Sequence, residues 1–374
     1  MENTTTQQKS FKKPTYPRSG ENVNYQELRK EVNTIVKDLA PQRSWLIKFK
    51  AFVFPLLYFS AYALILSSGN SHGLFFTGYF LLGFLLVLNF LNLIHEAVHG
   101  VIFKSFKWMN NIYVSFFDIM GANSYIWKVR HIRFHHAYPN IMDWDTDFEQ
   151  SPMARVFPEG PILNMHKYQH IYLPFIYPLY LFNWLLVRDF KDFYKKDSMV
   201  RRHIEIPKKE YVKLFIFKAI FIFYIFFLPK LMLDITWGQE LLGFILMMFT
   251  ASLTSLIVLL SPHASIHSEF PRPDENGNMP YTWFTHQLRC TNDVKSNDGF
   301  FVRFFMGNFN YHIAHHLFPH IHHIYYPEVT KAIENFAIKN NLPYRKYSLS
   351  ESLKGHYKLL KTNAFHENIF EETM

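Results

Sequence analysis

Long apolar blocks separate the polar regions of this chain. Three of them contain no Asp, Glu, Lys or Arg, namely residues 51–71, 73–94 and 241–262. A fourth block, residues 213–233, holds Lys218 and Lys230 near its ends, where a long side chain can reach the lipid headgroups. A helix needs about 20 residues to cross the hydrocarbon core of a bilayer. The pattern therefore predicts four transmembrane helices arranged as two hairpins.

The regions between and around these blocks are polar and give the predicted organisation. Residues 1–45 are expected to form a polar extension with one short amphipathic helix, residues 46–343 the membrane domain, and residues 344–374 a polar tail. No signal peptide is expected, because the first apolar block begins only at Ala51. The single cysteine, Cys290, excludes an intramolecular disulfide.

The charge distribution predicts the orientation in the membrane. The formal net charge is +9, and much of the basic excess lies in the N-terminal segment and in the loop after the second span. Because basic residues favour the cytoplasmic side, both termini and the large polar regions are expected there. The charge also suits an anionic partner, such as lipid headgroups or an acidic electron-transfer protein. Nucleic acid is a poor alternative, since the basic residues flank membrane segments and form no compact basic motif.

Histidines are grouped next to the predicted spans, as His95 and His99, as His131, His135 and His136, and as His312, His315 and His316. Residues three or four apart on a helix share one face, so the imidazoles of each group can point the same way. Eight nitrogen ligands are too many for one zinc ion and favour a pair of redox-capable ions such as iron. His263 ends the fourth span at the same depth and is a natural ninth ligand, with a helix-terminal capping group as the alternative.

One further apolar stretch, residues 173–187, is short for a span and contains Pro174 and Pro178. These features favour a helix that lies at the membrane interface or re-enters it. The parity of crossings agrees with this interpretation. With four spans all three histidine groups fall on one face of the membrane, whereas a fifth span here would put the last group on the opposite face.

Two other functional classes compete with a redox centre. The segment from His95 to His99 matches the H-E-x-x-H helix of zinc metalloproteases, in which Glu96 would be the general base. An intramembrane protease would leave the other two histidine groups unexplained. A metal transporter is the second alternative, but transport usually places ionisable residues within the spans, and these spans are almost free of them.

Several polar residues near the histidine groups have no firm assignment from sequence. Asp143, Asp145 and Asp147 alternate after the second group, and a solvated loop is favoured over support of a ligand. The roles of the remaining nearby histidines stay open; these are His267, His320, His322 and His323.

The stretches HEAVH, HIRFHH and HIAHH, set after spans two and four, resemble the three histidine boxes of integral-membrane fatty acid desaturases. The similarity is greater to the linoleoyl-CoA desaturase-like, or front-end, branch. It is supported by WKVRHIRFHHAYPNIMDWDTD from Trp127, the H-x6-F-P spacing from His263, WFTHQLRCTND from Trp283 and NYHIAHHLFPHIHH from Asn310. The resemblance covers roughly His95 to Pro343.

This resemblance implies an all-α integral membrane protein in which four transmembrane helices carry a cytosolic helical cap with a di-iron centre. The implied ligands are His95, His99, His131, His135, His136, His263, His312, His315 and His316. Glu96 stands where the family usually has an acidic residue, which explains the protease-like pattern, and is expected to lie next to the ligands without binding metal.

The implied activity is an oxygen-dependent fatty acyl desaturase with two Fe ions, Fe2+ in the reduced resting state, and O2 as co-substrate. The chain has no HPGG haem motif of a fused cytochrome b5 domain, so electrons are expected from a separate donor such as ferredoxin or cytochrome b5. His312 stands where front-end enzymes commonly have Gln, which leaves the attacked carbon open. A lipid hydroxylase on the same scaffold remains the alternative, and the acyl group can arrive on CoA, a carrier protein or a membrane lipid.

Overall fold

Helices make up most of the described chain and follow the apolar blocks. The computed structural model describes residues 12–18, 21–149 and 151–365. The α-helices are α1 Glu21–Leu66, α2 His72–Asn89, α3 His95–Val98, α4 Lys107–Ile119, α5 Ser124–Lys128, α6 Gln169–Ile176, α7 Tyr180–Asn183, α8 Asp189–Tyr194, α9 Met199–His203, α10 Lys208–Ile222, α11 Leu228–Met232, α12 Trp237–His263, α13 Trp283–Cys290, α14 His312–Leu317, α15 Tyr326–Lys339 and α16 Leu349–Thr362.

Shorter elements interrupt and join these helices. The π-helical turns are Phe90–Ile94, Val129–His135, Trp184–Arg188, Phe223–Phe227 and Phe301–Phe305, and the 3-10 turns are Asn164–Tyr168, Tyr177–Leu179 and His323–Tyr325. Two three-residue strands, β1 Asp293–Lys295 and β2 Lys346–Ser348, pair in parallel. The all-α prediction therefore describes the membrane helices and misses this small sheet.

Five helical stretches in the described residues are long and apolar enough to cross a membrane: 23–66, 72–98, 164–203, 208–232 and 237–263. Four of them overlap the predicted spans, in agreement with a multi-pass membrane protein. The stretch 164–203 contains the predicted interfacial segment. It is built of short pieces, α6 to α9 with 3-10 and π-helical turns between them, and Pro174 and Pro178 lie within it.

Helix α1 continues without a break from the polar region into the first span. Its polar half packs against α15, which follows the third histidine group in the chain. Arg43 of α1 forms an ion pair there with Glu328 of α15 at 2.6 Å. Nearby, the Tyr25 hydroxyl donates to the Leu317 carbonyl oxygen at 3.1 Å. The boundary expected near residue 45 thus falls inside a helix, because tertiary contacts stabilise the segment in front of the span. A separate N-terminal extension stays a prediction.

Helices α2 and α12 lie side by side and run in the same direction. At their N-terminal ends, the Gln239 side-chain amide donates to the His72 ring at 2.7 Å. At their C-terminal ends they carry His95, through the π-helical turn after α2, and His263. The close approach depends on Gly83, where a Cβ atom would come within 2.3 Å of the Met247 carbonyl oxygen.

Buried ion pairs attach α8 to the rest of the fold. Arg130, in the π-helical turn Val129–His135 that carries the second histidine group, forms an ion pair with Asp192 at 2.9 Å. Lys218 is buried in α10 and pairs with Asp189 at 2.6 Å. The prediction that Lys218 reaches the headgroups is therefore wrong, because a carboxylate inside the protein satisfies its charge. Lys230 lies over the Trp237 ring, 5.5 Å from its centroid.

The described part of the C-terminal region, expected as a polar tail, is packed into the fold. Asp293 of β1 lies opposite Lys346 of β2, and α16 follows β2 directly. Helix α16 begins with a capping box, in which the Glu351 N–H donates to Ser348 Oγ and the Ser348 N–H donates to the Glu351 carboxylate. It then packs against α12 and α6.

We expect Gly83→Val to destabilise the protein by about 1–3 kcal/mol or more, because the side chain would push α2 away from the α12 backbone. The measurement is thermal unfolding of the purified protein in detergent. Gly73→Ala is the matched control, since no atom lies within 4 Å of a Cβ built at this position of the same helix. Equal unfolding temperatures for the two variants would contradict the close contact.

Candidate metal centre

Two π-helical turns position the first two histidine groups. The turn Phe90–Ile94 ends α2 and leads directly into His95, and the turn Val129–His135 carries His131 and His135. In the second turn the His136 N–H donates to the His131 carbonyl oxygen at 3.0 Å, five residues back. This brings the two Nε2 atoms to 3.0 Å of each other. An ordinary α-helical turn would direct residues five apart to different faces, so the π-helical turn is part of the site.

All nine histidines proposed from sequence as ligands lie in one cluster, which divides into two groups. In each group the candidate ligand atoms lie within 4.8 Å of one another. We call them group A, which is His95, His99, His131 and His315, and group B, which is His135, His263, His312 and His316. His136 lies between them, with its ring centroid 4.5 Å from that of His315 and 4.7 Å from that of His316.

The division into groups A and B does not follow the three histidine groups seen in the sequence, which are here called the first, second and third sequence clusters. The second cluster contributes His131 to group A and His135 to group B, and the third contributes His315 to group A and His312 and His316 to group B. The expectation that the imidazoles of each cluster point the same way therefore holds only for His95 and His99. Each of the two later clusters contributes to both groups, which brings the groups together.

Within the groups the Nε2 atoms face one another at short distances. In group A, His95 Nε2 lies 3.1 Å from both His315 Nε2 and His131 Nε2. In group B, His263 Nε2 lies 2.8 Å from His312 Nε2 and 3.1 Å from His316 Nε2. Octahedral coordination with metal–nitrogen bonds of about 2.1 Å places adjacent nitrogens about 3 Å apart. The spacing therefore fits imidazoles that share a metal ion.

On four of the rings the opposite ring nitrogen, Nδ1, meets an acceptor that orients the ring, whereas the Nδ1 atoms of His136, His263 and His312 have no hydrogen-bond partner among the described residues. The distances are 3.2 Å from His131 to Asp147, 2.9 Å from His135 to Asp145, 3.3 Å from His315 to the Tyr326 hydroxyl and 3.0 Å from His316 to Gln287 Oε1. An acceptor at Nδ1 holds the proton there and leaves the Nε2 lone pair free for a metal. Such outer contacts typically accompany metal-ligating histidines.

Asp145 organises the loop that follows the second histidine group. Its carboxylate is buried and accepts hydrogen bonds from His135 Nδ1, from the Asn140 N–H at 2.8 Å and from the Asp147 N–H at 3.0 Å. Asn140 has φ 58°, in the left-handed region, which turns the loop back towards the cluster. The solvated-loop interpretation is therefore wrong for Asp145 and Asp147, because the loop folds under the second histidine group.

Burial and local charge keep most of these rings neutral. Burial lowers the pKa of His136 well below its ordinary value, and the neighbouring imidazoles lower it further. The same causes lower the pKa of His131. Burial also acts to lower the pKa of His135, but the carboxylates of Asp145 and Asp147 outweigh it and raise that pKa. Neutral imidazole is the form that binds metals, so His131 and His136 need lose no proton.

The ring of His99 adds a second indication of a bound cation. Its Nε2 atom is buried and has no hydrogen-bond partner among the described residues. Leaving a buried polar atom unpaired costs about 1–3 kcal/mol. A metal ion in group A would satisfy this nitrogen. The donor set, the Nε2 spacing and this unpaired atom together fit a metal centre.

Glu96 lies on the outer side of the histidine cluster, away from the Nε2 atoms. The general base of a protease would lie on the inner side. Its carboxylate is 3.5 Å from His95 Nδ1, on the side opposite the Nε2 atom that faces group A. It also accepts the His323 N–H at 3.2 Å and lies 3.7 Å from His322 Nδ1. A metalloprotease needs this carboxylate beside the metal-bound water, so the geometry argues against that alternative.

The histidines left open by the sequence fall into two classes. His322 and His323 are buried and hold the Glu96 carboxylate, and Lys50 Nζ lies 2.8 Å from His323 Nε2. His267 and His320 are exposed, and His267 stacks on the Tyr347 ring at 4.3 Å. Only the buried pair is connected to the cluster, through Glu96.

Sequence reasoning missed Gln287 and Tyr326 as partners of the cluster. Gln287 lies in the segment WFTHQLRCTND, which supported the family resemblance without indicating a role for this residue. Its amide oxygen accepts from His316 and its amide nitrogen reaches the His136 carbonyl oxygen at 3.4 Å. No spacing along the chain marks either residue.

A cavity of about 720 Å3 adjoins both groups of histidines. We call it the catalytic cavity; its lining includes His95, His131, His135, His263 and His312 and apolar side chains such as Leu173, Ile176, Trp184, Leu256, Leu259 and Leu260. Its size lies in the usual range of about 300–1,000 Å3 for ligand pockets. A smaller apolar space shares Phe90, Trp184 and Leu259 with it and extends between α2 and α12. The walls of both spaces are mostly apolar.

Comparisons with known proteins all point to the same family. A family model described as fatty acid desaturase matches residues 71–348. The chain is 25% identical over 349 residues to an sn-1 linoleoyl-lipid 6-desaturase of Arthrospira platensis, covering 91% of this chain and 93% of that protein. It is 26% identical over 314 residues to a protein of the same name from Synechocystis sp., covering 83% and 87%. An acyl-lipid (8-3)-desaturase of Physcomitrium patens is 27% identical over 316 residues, covering 81% of this chain and 63% of that protein.

We expect the purified protein to hold two metal ions per chain and Asp145→Asn to bind them roughly 10- to 100-fold more weakly, because His135 loses its charged acceptor. Metal content of the monodisperse protein, measured by mass spectrometry after dialysis against a chelator series, tests this. Asp197→Asn is the control, since that carboxylate is exposed and forms an ion pair with Lys195 at the surface. Equal metal retention in both variants would argue that Asp145 has no part in the centre.

Proposed function

Because this chain belongs to the fatty acid desaturase family, we propose that its nine clustered histidines hold two iron ions and that the enzyme uses O2 to introduce a double bond into the acyl chain of a membrane lipid. The observation that carries this proposal is the pair of four-histidine groups with Nε2 atoms 2.8–3.1 Å apart. Imidazole is a suitable ligand for iron as well as for zinc. Group A would hold one ion and group B the other, with His136 between them.

The oxidation itself requires a metal centre. Iron bound in the two groups would supply the oxidation of an unactivated C–H bond by O2, for which side-chain acids and bases are insufficient. The residues of the chain hold the substrate and exclude water. His95 of group A and His263 of group B both line the catalytic cavity, so one acyl chain there lies beside both groups. Holding the reacting carbons next to the centre supplies a large part of the rate increase of such a step.

Aromatic side chains form the walls of the cavity next to the histidines. The Trp127 ring stacks on the His131 ring, with centroids 4.9 Å apart and an angle of 15° between the planes. Phe90 packs edge-on against Trp127 at 5.0 Å. These rings limit the width of the cavity and keep bulk water from the reacting carbons. Both also line the catalytic cavity, so they act on the bound chain directly.

An acyl group on a membrane lipid is favoured over a soluble thioester. The Arthrospira platensis and Synechocystis sp. relatives are named as linoleoyl-lipid desaturases and the Physcomitrium patens relative as an acyl-lipid desaturase. In this chain the catalytic cavity is bordered by α12, whose outer face exposes apolar side chains. A lipid can therefore approach the cavity without leaving the bilayer.

Four membrane crossings account best for the packing. Helices α2 and α12 run in the same direction, so an odd number of crossings must connect them. Helix α10 with its continuation supplies one, and a crossing by residues 164–203 would make the number even. We therefore assign 164–203 to the membrane interface, which keeps all three histidine clusters on one face. The basic excess of the chain favours a cytoplasmic position for that face and for both termini.

Electrons are proposed to come from a separate protein, a ferredoxin or a cytochrome b5. The net charge of +9 favours association with an acidic electron-transfer protein. The two electrons from such a donor, together with the two taken from the substrate, reduce O2 to two waters.

We expect expression in a host that lacks this activity to produce fatty acids with one additional double bond, seen by mass spectrometry as a loss of two hydrogens. His315→Ala should reduce this product at least about 100-fold, because group A loses a ligand. His267→Ala is the matched control, since this exposed histidine stacks on Tyr347 away from the cluster.

Two results would overturn the proposal. Full product from His315→Ala would contradict a shared centre. A product that gains one oxygen atom, with no double bond, would identify a hydroxylase on the same scaffold.

A further inference from the structure

A second cavity, of about 200 Å3, lies beside the catalytic cavity on the outer side of the protein. We call it the lateral groove; its own lining residues are His170, Pro174, Leu253, Ile257, Leu353 and Tyr357. The two cavities share a common wall formed by Tyr177, Leu256, Leu260, His356 and Leu360. A change in this wall alone would join the groove to the metal centre.

The mouth of the lateral groove has the character of a lipid-facing surface. On α12, Leu253 and Ile257 are each 45% exposed, and on α16, Leu353 and Tyr357 are 37% and 47% exposed. Each pair is spaced by four residues and so occupies one helix face. Because α12 is a membrane-spanning helix of the proposed topology, apolar side chains exposed on it contact lipid. The groove therefore opens sideways, towards the bilayer.

A hydrogen bond between Tyr177 and His356 closes the wall. The His356 Nδ1–H donates to the Ala264 carbonyl oxygen at 2.8 Å, which leaves Nε2 as an acceptor. The Tyr177 hydroxyl lies 2.5 Å from that Nε2 and donates to it. The carbonyl partner follows His263 directly, so the hydrogen-bonded pair is anchored at the end of α12 that reaches the metal centre.

The two sides of this contact belong to separate elements. Tyr177 begins the 3-10 turn Tyr177–Leu179 between α6 and α7, and Pro174 and Pro178 interrupt the hydrogen bonding of this wall. His356 lies on α16, which packs onto α12 and α6. Gln169 of α6 donates to the Leu360 carbonyl oxygen of α16 at 2.6 Å, so loss of the Tyr177–His356 hydrogen bond would open the wall at Tyr177 while the two helices stay attached.

We propose that the acyl chain of a membrane glycerolipid enters the catalytic cavity sideways through the lateral groove, and that the Tyr177–His356 hydrogen bond is the gate between them. This inference rests on the proposed function, because it requires that the substrate stay attached to a membrane lipid. The apolar groove takes the acyl chain, and the polar headgroup remains at the membrane surface. Tyr177 and His356 are thus positioning residues that control access to the centre.

The entry route can be tested without turnover. Full-length protein is reconstituted in phosphatidylcholine vesicles in which a small fraction of the lipid carries a photoreactive diazirine in one acyl chain. After illumination, mass spectrometry of the digested protein locates the labels. We expect labels on Leu353 and Tyr357 and on residues inside the catalytic cavity. Labels confined to other exposed faces, such as Phe215 and Ile216 of α10, would overturn the route.

The gate is tested by two variants with a matched control. Tyr177→Phe removes the hydroxyl, and we expect labelling inside the catalytic cavity to rise roughly 2- to 10-fold, the range that corresponds to one lost hydrogen bond. Tyr172→Phe removes a hydroxyl from the preceding helix α6, where Tyr172 donates to the Met153 carbonyl oxygen and lines neither cavity, so labelling should not change. Equal labelling in these two variants would overturn the gate.

Leu260→Trp should fill the passage through the shared wall, which would lower labelling inside the catalytic cavity while labelling of the lateral groove persists.

The same diazirine-bearing acyl chain supplied as a coenzyme A thioester identifies the source of the acyl group. Cavity labelling by the thioester alone would overturn lipid entry.

Measuring fatty acid products on the same samples separates this inference from the proposed function. A desaturated product without labelling of the groove would support the proposed desaturase activity and overturn the proposed gate. Groove and cavity labelling without any desaturated product would keep the entry route and reject the desaturase.

Discussion

The fold depends on bringing nine imidazoles together, eight of them buried, without forcing two ring nitrogens to compete for the same proton. Nε2 atoms 2.8–3.1 Å apart either share protons or share cations. Protonating many of them is unfavourable, because burial and mutual repulsion disfavour the charged rings. Two metal ions would remove this competition, while acceptors at Nδ1 orient the rings of His131, His135, His315 and His316 from outside. The π-helical turns, the loop around Asp145 and the packing of α14 against α13 and α15 all hold this arrangement.

The apolar helices and the histidine groups could be predicted from sequence because both are encoded locally. A span needs only an apolar run of sufficient length, and a histidine cluster is visible as residue type and spacing. The partners of the ligands depend on tertiary structure. Asp145 is 10 residues from His135, Gln287 is 29 from His316, and Glu96 is 227 from the His323 N–H that it accepts. The division of the clusters between groups A and B depends on backbone turns that residue spacing does not reveal.

Hydropathy and packing give different information about residues 164–203. Length and composition alone make this stretch a candidate span. The common direction of α2 and α12 favours an odd number of crossings between them, which argues for an interfacial position instead. The same stretch supplies Leu173, Ile176 and Trp184 to the wall of the catalytic cavity. Its apolar character can thus serve the substrate as well as the bilayer, and hydropathy cannot distinguish these two roles.

The C-terminal region shows that average composition also fails to predict whether a helix is packed into the fold. Helix α16 is polar overall, and its sequence therefore predicts a tail. One face of it nevertheless carries Leu353, His356 and Leu360, which line the lateral groove, and the last two also line the catalytic cavity. Because His356 must accept from Tyr177 across the space between two elements, its role exists only when α6, α12 and α16 are assembled. Access to the centre would then be controlled by a segment outside the histidine boxes.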